Sequence, residues 1–348
     1  MANRKVGVGI IGAGGIATNA HLPGYQKCPD ARILAVCDVD EARAKKAAEQ
    51  FSIPHVFTDY KKMLEMDEIE AVSVCTPNYL HKDPTICALR NGKHVLCEKP
   101  LAMNGREGEA MVKASQQTGK KLQVGFNLRF DQNAVAIKKM IDAGALGEIY
   151  YARSQALRRR GIPNWGVFGR KDLQGGGPLI DIGVHILDLT LHMMGFPKPV
   201  TVSGRAVTKF GDKPNIFGSW GQWDWQTFTV EDFASGYVRF ENGMTLAVES
   251  SFCANIEKDV FDFHILGDKG GAQFSPPMIL SEQNTTLLNI SPVGMRPVQS
   301  HHEEVAAFID AIIKDKPVAV PGEQALVVTK IIDGIYKSSE MGKEVRIS

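Results

Sequence analysis

A surplus of charge is the first thing this sequence lacks. Its 40 Lys and Arg offset 39 Asp and Glu, which leaves a formal charge of +1. A chain without excess charge has no whole-molecule attraction to nucleic acid or to an anionic membrane surface. It also lacks the run of roughly 18 apolar residues that a membrane span requires. No long apolar leader precedes the first strand pattern, so we predict no signal peptide. We therefore expect neither nucleic acid nor a membrane as a partner.

Cysteine is scarce and scattered. Six cysteines stand at positions 28, 37, 75, 87, 97 and 253, with no Cys-x-x-Cys pair and no spacing typical of a metal site. Several of them fall inside apolar strand patterns. This pattern predicts reduced, buried thiols in a cytoplasmic protein and no bound metal.

Glycine is the residue that the chain has in excess, with 34 in 348 residues, roughly a tenth against an average of about 7%. Two clusters, at 12–15 and 175–177, account for part of that excess. The length suits two domains, each large enough to bury a core.

The first third of the chain alternates between short apolar runs and helical patterns. Helical patterns separate the runs, and buried strands separated by helices predict an α/β fold with a parallel, doubly wound sheet. We assign this nucleotide-binding (Rossmann) domain to residues 1–126. The expected strands are 6–11, 33–37, 71–75, 94–97 and 121–125, and the expected helices include 41–51, 84–91 and 105–118.

After residue 127 the apolar residues alternate as they do in antiparallel strands. Asn242-Gly243 is a hairpin signal between two of these strands. We predict a second, α+β domain over 127–348, built around an open and mainly antiparallel sheet. Its expected strands are 149–155, 200–208, 233–240, 245–252 and 259–266, and its expected helices are 134–144, 303–314 and 324–341.

The first glycine cluster fits the pattern G-x-G-x-x-[G/A] from Gly12 to Ala17, between a strand and a helix. Gly12 permits a tight turn and Gly14 lets the backbone approach a pyrophosphate, while Gly15 and Ile16 open the helix whose N-terminus binds anions. A glycine-rich turn without a ligand is the alternative.

Asp38 ends the second expected strand, about 20 residues after the glycine loop, where an acid binds the adenosine ribose. A helix N-cap is the alternative role for Asp38. Val39 follows, so no arginine stands next to Asp38 to receive a 2′-phosphate. We therefore expect NAD rather than NADP as the cofactor.

The motifs at the remaining strand ends resemble those of the glucose–fructose oxidoreductase and inositol dehydrogenase family (Gfo/Idh/MocA). The resemblance covers nearly the whole chain in order. It rests on Gly12-Ala13-Gly14, Thr76-Pro77-Asn78 with His81, Glu98-Lys99-Pro100, the stretch 175–185, Glu231-Asp232-Phe233 and Asn242-Gly243.

The resemblance implies that Glu98 lies on the nicotinamide side of the cofactor. It also implies that Thr76 and Asn78, with His81 beside them, contact the ribose or the diphosphate. It also implies that Lys99 is a catalytic or substrate-orienting lysine, with a Lys-Pro peptide that is often cis. A solvated surface lysine is the alternative for Lys99.

Asp181 and His185 enter the site from the second domain if the resemblance holds, with His185 as the proton-transfer group. They are four residues apart, so on a helix they share one face. A carboxylate beside an imidazole orients it for acid–base work. An N-cap Asp with a core His is the alternative. Asp188 and His192 continue the spacing, but the leucines around them favour packing over a metal site.

Candidate substrate-binding residues are Arg129, Arg158, Asn164 and Trp165, besides Lys99, Asp181 and His185. A structural salt bridge is the alternative for Arg129, and a solvated charged face for the segment 157–165. Trp220, Trp223 and Trp225 mark either an interface or a loop that packs its own tryptophans.

The resemblance implies hydride transfer between NAD and a secondary hydroxyl of a sugar, an inositol-like polyol or a sugar derivative. It also implies a homodimer or homotetramer formed through the C-terminal sheet. Two alternatives share the fold: a redox-neutral glycoside hydrolase that uses NAD, and a non-catalytic NAD-binding regulator. The intact Glu98-Lys99-Pro100 and Asp181/His185 argue against the regulator.

Overall fold

The computed structural model describes residues 4–347. The chain forms two compact units. The first extends to residue 130 and also takes in 298–326, and the second comprises 131–297 and the residues from 327 onward. The predicted second domain, 127–348, thus includes a segment that packs within the first unit.

The first unit is built on six parallel strands in the order β3-β2-β1-β4-β5-β6. The order reverses between β1 and β4, and ligands of such sheets bind at the carboxyl ends of the strands at this reversal. The strands are β1 (Val6–Ile11), β2 (Ala31–Cys37), β3 (His55–Phe57), β4 (Ala71–Val74), β5 (His94–Cys97) and β6 (Leu122–Val124).

Helices cover this sheet, and a helix from late in the chain completes its core. Val305, Phe308, Ile309 and Ile312 pack with the strand residues of the first unit. The helices are α1 (Leu22–Lys27), α2 (Glu41–Phe51), α3 (Tyr60–Leu64), α4 (Lys82–Arg90), α5 (Gly105–Thr118) and α9 (Ser300–Ile313).

The second unit contains a nine-stranded sheet in the order β14-β13-β12-β11-β7-β10-β9-β8-β15. All pairs are antiparallel except β7 with β10. The strands are β7 (Ile149–Leu157), β8 (Pro199–Val207), β9 (Phe233–Phe240), β10 (Thr245–Ser251), β11 (Val260–Gly267), β12 (Gly270–Gln273), β13 (Met278–Gln283), β14 (Thr286–Ile290) and β15 (Val345–Arg346).

Three helices lie within this unit, and a fourth begins in the first unit and continues into the second. They are α6 (Gln132–Asp142), α7 (Lys171–Gln174), α8 (Val184–Met193) and α10 (Gly322–Met341). One face of the sheet is buried, while Arg153, Ser203, Arg205 and Tyr237 remain exposed on the other. None of the helices in residues 4–347 combines the length and apolar character needed to cross a bilayer.

The predicted fold class is confirmed, and most expected elements lie within a few residues of their predicted bounds. The sequence patterns did not predict the strands β3, β12, β13, β14 and β15. These strands lie at or near sheet edges and bury few side chains, so they carry little of the alternation that marks a strand. The parallel pairing of β7 with β10 was likewise not expected.

Candidate active site

The glycine loop after β1 leaves its backbone open to a ligand. Gly12 has a φ of +93°, and a Cβ there would lie 2.7 Å from the carbonyl oxygen of Cys75. Among residues 4–347, and apart from adjacent backbone, no atom lies within 4 Å of a Cβ placed at Gly14, and the one such contact at Gly15 is the Asn19 amide at 3.8 Å. The chain is helical from Gly15 onward. This loop therefore fits a pyrophosphate, which helix N-terminal N–H groups bind.

The different surroundings of Gly12 and Gly14 give a prediction. Gly14→Ala places a methyl group in open space, so we expect a free energy of unfolding within about 0.5 kcal/mol of the wild type. The methyl group lies where the pyrophosphate is predicted to approach, so we expect NAD affinity to fall at least about tenfold. Isothermal titration with NAD and chemical denaturation measure the two quantities.

Gly12→Ala is the matched control, because its methyl group meets the Cys75 carbonyl and its backbone is left-handed. We expect it to lose stability by about 2 kcal/mol or more. Unchanged NAD affinity in Gly14→Ala contradicts the assignment of the loop.

Asp38 directly follows β2 and is buried. Its Oδ2 accepts the N–H of Ala13 at 2.8 Å and its Oδ1 accepts the N–H of Asp40 at 2.9 Å. The N-cap of α2 is Asp40, whose side chain accepts from Arg43. The alternative reading of Asp38 as the cap is therefore wrong, and its carboxylate is fixed against the glycine loop.

Arg43 lies beside Asp38, with its Nη1 3.4 Å from Asp38 Oδ1. The expectation that no arginine neighbours Asp38 is therefore wrong. The adjacent position is indeed Val39, but the first turn of α2 brings Arg43 back towards the strand end. Its side chain is 53% exposed, so the guanidinium remains accessible to an anion.

The loop after β4 is connected to the loop after β5. His81 is buried, with Nδ1 2.7 Å from the carbonyl oxygen of Pro100 and Nε2 2.9 Å from that of Thr76. Burial lowers the pKa of His81. Thr76 Oγ1 donates to the carbonyl of Leu80 at 2.9 Å, and the buried Asn78 begins the short helical turn Asn78–Leu80. The cofactor roles of Thr76, Asn78 and His81 stay predictions.

Glu98 follows β5 and is held on several sides. The Lys99–Pro100 peptide after it is cis, as the resemblance implies. Glu98 Oε1 lies 2.7 Å from Nε2 of His21, and its Oε2 accepts the N–H of Lys99 at 3.2 Å. A Cβ at Gly125 would lie 2.8 Å from Glu98 Oε1, so the glycine makes room for the carboxylate. Lys99 itself is partly exposed.

His21, which no sequence motif indicated, is fully buried beside this carboxylate. Its Nδ1 lies 3.1 Å from Ser73 Oγ, which in turn lies 2.7 Å from the hydroxyl of Tyr25. The buried Glu304 adds a second carboxylate, with its oxygen within 4.8 Å of the ligand atoms of His21 and Glu98. His21 therefore joins a polar cluster from four segments of the first unit.

A π-helical turn, Ala17–His21, places this histidine. π-Helical turns are rare in proteins, and those that occur are often found at functional sites. They interrupt the helical period, so no spacing in the sequence marked His21; its position shortly after the glycine loop was the one available signal.

Electrostatics keep Glu98 ionised. Burial alone raises the pKa of a carboxyl group, but the hydrogen bond from His21 and the charges of His21, Lys99 and His301 lower the pKa of Glu98 to about 2. A carboxylate with a lowered pKa stabilises the fold above its unfolded pKa, and that contribution is lost as the pH falls towards about 2. Glu98 is thus a carboxylate at neutral pH, paired with His21.

His21→Leu removes the partner of a buried carboxylate, and we expect the free energy of unfolding to fall by about 3–5 kcal/mol at neutral pH. The pKa of Glu98 rises in this variant, because burial still raises it while the hydrogen bond and charge of His21 no longer lower it. The folded variant then binds a proton more readily than the wild type does. The stability deficit should therefore shrink as the pH is lowered, as chemical denaturation over a series of pH values will measure.

His21→Gln is the conservative control, since its amide N–H can still donate to Glu98 and should restore part of the stability. A deficit in His21→Leu that is the same at every pH contradicts the proposed role of the ion pair.

In the second unit, Gly176 and Gly177 pack closely around the buried Glu231 and its partner Tyr336. A Cβ at Gly177 would lie 2.1 Å from the carbonyl oxygen of Glu231, and one at Gly176 would lie 2.1 Å from the hydroxyl of Tyr336. The Glu231 carboxylate accepts the N–H of Gly177 at 2.9 Å and the hydroxyl of Tyr336 at 2.9 Å. Burial raises the pKa of Glu231. These glycines fix the backbone that leads to Asp181.

Asp181 and His185 are carried on one continuous helical segment. Asp181 is buried in a second π-helical turn, Leu179–Gly183, and His185 lies in the first turn of α8, partly exposed. The residue that precedes α8 is Gly183, without a side-chain cap. The alternative reading of Asp181 as an N-cap is therefore wrong. Within residues 4–347, the one group of side chains with metal-ligand geometry includes neither Asp188 nor His192.

Arg129 and the tryptophans differ in their surroundings. Arg129 is buried and its Nη1 donates to Gln324 Oε1 at 2.5 Å and to the Ala319 carbonyl at 3.4 Å. Its substrate-binding role stays a prediction. Trp223 is buried and donates to the Gly211 carbonyl at 2.7 Å, so it packs its own loop. Trp220 and Trp225 are exposed.

Arg158, Asn164 and Trp165 lie close together in the second unit. The Arg158 guanidinium stands 4.7 Å from the ring centre of Trp220 and 5.6 Å from that of Phe252. Burial lowers the pKa of Arg158, against the opposing effect of Asp181. Asn164 donates to the carbonyl of Trp220, and Trp165 is exposed.

Comparison with family models identifies both units. Residues 6–126 match the model described as "Oxidoreductase family, NAD-binding Rossmann fold", and residues 134–273 match the GFO/IDH/MocA C-terminal domain. The resemblance seen in the motifs is thereby confirmed.

Curated relatives extend over the whole chain. D-glucoside 3-dehydrogenase of Escherichia coli K12 is 36% identical, covering 100% of this chain and 99% of its own. D-xylose 1-dehydrogenase (NADP(+)) 2 of Haloferax volcanii is 26% identical over 97% of this chain and 99% of its own. Among solved structures, levoglucosan dehydrogenase in complex with NADH and levoglucosan aligns with a TM-score of 0.85 at 25% identity, over 99% of this chain and 100% of the other. These relatives are named as dehydrogenases of sugars, with NADP(+) named for the D-xylose enzyme and NADH for the levoglucosan enzyme.

Proposed function

This chain belongs to the Gfo/Idh/MocA family of oxidoreductases, and we propose that it oxidises one ring hydroxyl of a glucoside by hydride transfer to NAD. The chain is a nicotinamide-dependent dehydrogenase that acts on a CH–OH group of a sugar or polyol. The finer assignment of a glucoside follows the relative that is 36% identical over its full length. The preference for NAD rests on one observation, the buried carboxylate of Asp38 fixed against the open glycine loop.

The residues of the first unit hold the cofactor, which supplies the hydride acceptor when bound. The N–H groups at Gly14, Gly15 and Ile16 bind the pyrophosphate, and Asp38 accepts hydrogen bonds from the adenosine ribose. Gly12 makes the turn that directs these N–H groups.

Lys99 and His185 divide the work on the substrate hydroxyl. His185 accepts the hydroxyl proton at a ring nitrogen as the C–H hydride leaves, and Asp181 orients the imidazole and stabilises its protonated form. The Lys99 ammonium donates a hydrogen bond to the developing alkoxide oxygen. The carboxylate of Glu98, which is fixed by His21, accepts the backbone N–H of Lys99. This hydrogen bond fixes the backbone from which the Lys99 side chain extends.

Assay against a panel of glucosides, free aldoses and inositols, each with NAD and with NADP, tests this function. Nicotinamide absorbance follows the reaction. We expect the highest kcat/KM for a glucoside with NAD. An enzyme that binds NAD tightly but reduces it with no member of the panel contradicts the proposal and points to the hydrolase or regulator instead.

We also propose that the chain works as a cytoplasmic homodimer or homotetramer. The open face of the large sheet supports the assembly, because it exposes Tyr237 and Arg153 in place of covering helices. Arg153 pairs there with Glu249 at 2.7 Å. An aromatic ring and an arginine are typical of interface residues.

A further inference from the structure

Two segments of the second unit bring three aromatic rings together at its surface. The rings of Trp165 and Trp220 are 5.2 Å apart and tilted by 52°, and the ring of Phe168 meets Trp165 edge-on at 6.2 Å. We call this group the aromatic platform (Trp165, Phe168 and Trp220). Trp165 is 54% exposed and Trp220 43%. Large aromatic side chains usually bury most of their surface, so two exposed tryptophans in contact need an explanation.

The platform is held in place rather than carried by a loose loop. Ser219 donates its N–H to the carbonyl of Arg160 at 2.8 Å, and the Asn164 side chain donates to the carbonyl of Trp220. These bonds tie the segment around residue 220 to the segment 158–165.

The base of the loop that carries Trp220 is also fixed. The Asp232 carboxylate accepts the N–H groups of Lys209, Phe210 and Gly211 at 2.8, 2.5 and 2.8 Å. Trp223 closes the same loop through its bond to Gly211. The exposed rings therefore stand on a preformed scaffold, which lowers the entropy lost when a ligand binds.

The platform adjoins the predicted catalytic residues of its own unit through Arg158. One side of the Arg158 guanidinium faces the ring of Trp220. The N–H of Arg158 donates to the carbonyl of Ser251 at 2.9 Å. The neighbouring Ser250 donates its hydroxyl to the carbonyl of Pro178 at 2.7 Å, directly before the turn that carries Asp181. A ligand held near Asp181 therefore has the platform as a neighbour on the same unit.

We propose that the platform is a stacking subsite for the ring attached to the anomeric oxygen of the sugar that is oxidised. The substrates it favours are glucosides whose aglycone is a second sugar ring or an aryl group. This inference rests on the proposed function. The faces of such rings are apolar and pack on aromatic faces, while Asn164 and Arg158 flank the platform with polar groups. A free monosaccharide leaves both tryptophans exposed.

The test compares methyl glucoside with phenyl glucoside of the same anomeric configuration, using purified full-length enzyme and NAD. In Trp165→Ala we expect kcat/KM for phenyl glucoside to fall about 5- to 20-fold, equivalent to about 1–2 kcal/mol. The value for methyl glucoside should fall less, because its aglycone has no ring to stack on the platform, so the phenyl-to-methyl ratio of kcat/KM decreases. Trp165→Phe, which keeps an aromatic face, should recover part of the loss.

Phe217→Ala is the matched control, because Phe217 is 70% exposed on the loop that carries Trp220 but is not part of the platform. Phe217→Ala should leave kcat/KM unchanged for both glucosides. Equal loss on both glucosides in Trp165→Ala overturns the subsite. So does a change of oligomeric state in that variant measured by sedimentation, since the platform is then an interface between copies of the chain.

Tryptophan fluorescence separates the subsite from the proposed function. Wild-type enzyme should respond to phenyl glucoside at lower concentration than to methyl glucoside, and Trp165→Ala should abolish the difference. If this response is present but no glucoside reduces NAD, the proposed function fails and the subsite stands. If NAD is reduced but the two glucosides bind alike, the subsite fails and the function stands.

Discussion

We expect Lys99→Ala and His185→Ala each to lower turnover by at least about 100-fold, because each removes a group to which the proposed mechanism assigns the proton or the charge of the reacting hydroxyl. Positioned acid–base groups contribute about 10²–10⁴-fold to such reactions. NAD affinity should remain near that of the wild type, since the glycine loop and Asp38 hold the cofactor. Steady-state kinetics and equilibrium titration with NAD measure the two quantities separately.

The control for Lys99 is Lys82, a surface lysine that pairs with Asp83 at 3.5 Å. Lys82→Ala should keep full turnover. Arginine at position 99 keeps the charge but not the compact ammonium of lysine, so Lys99→Arg should recover little activity. Normal turnover in both alanine variants rules out the assignment of Lys99 and His185, and a parallel loss of NAD binding reassigns them to the cofactor.

The parts of the site that sequence predicts best are those in which one residue type meets a local backbone requirement. Gly12 is needed because its φ is positive and because Cys75 is close. Asp38 follows directly from the end of a buried strand. Requirements of this kind are local, so a short motif with the right flanking elements is enough to predict them.

His21 and Arg43 escaped prediction because their positions depend on how a helix begins. His21 reaches Glu98 from a π-helical turn, which breaks the spacing that sequence patterns rely on. Arg43 reaches Asp38 from five residues downstream, across the N-cap Asp40. Neither contact is encoded by adjacency in the sequence.

The packing of helix α9 was also not predictable from the sequence. Its apolar face predicted a helix at 303–314, and the helix is present, but the pattern does not say which core that face joins. Val305 and Phe308 pack into the core of the first unit. An amphipathic pattern predicts that the apolar face of a helix is buried, but it does not identify the residues against which that face packs.

Asp38→Ser should reverse the cofactor preference, and Arg43 is the reason that the change is expected to be large. In the wild type the Asp38 carboxylate repels a 2′-phosphate and engages Arg43 at 3.4 Å. Serine removes the negative charge, keeps a hydroxyl able to accept the N–H of Ala13, and leaves the half-exposed guanidinium of Arg43 to bind the phosphate. Arginine suits this task because its planar fork donates two parallel hydrogen bonds.

We expect kcat/KM with NAD to fall about tenfold in Asp38→Ser and kcat/KM with NADP to rise about tenfold, so that their ratio changes about 100-fold, or about 2.8 kcal/mol. Adding Arg43→Ala should remove the gain with NADP and leave the loss with NAD, whereas Arg43→Ala alone should have little effect with NAD. The four enzymes form a double-mutant cycle whose coupling energy isolates the contribution of Arg43. An NADP gain that persists without Arg43 means that another cation receives the phosphate. If the gain with NADP is lost when Arg43→Ala is added, Arg43 lies beside the 2′ position of the ribose. The residue at position 38 then determines which cofactor the enzyme uses.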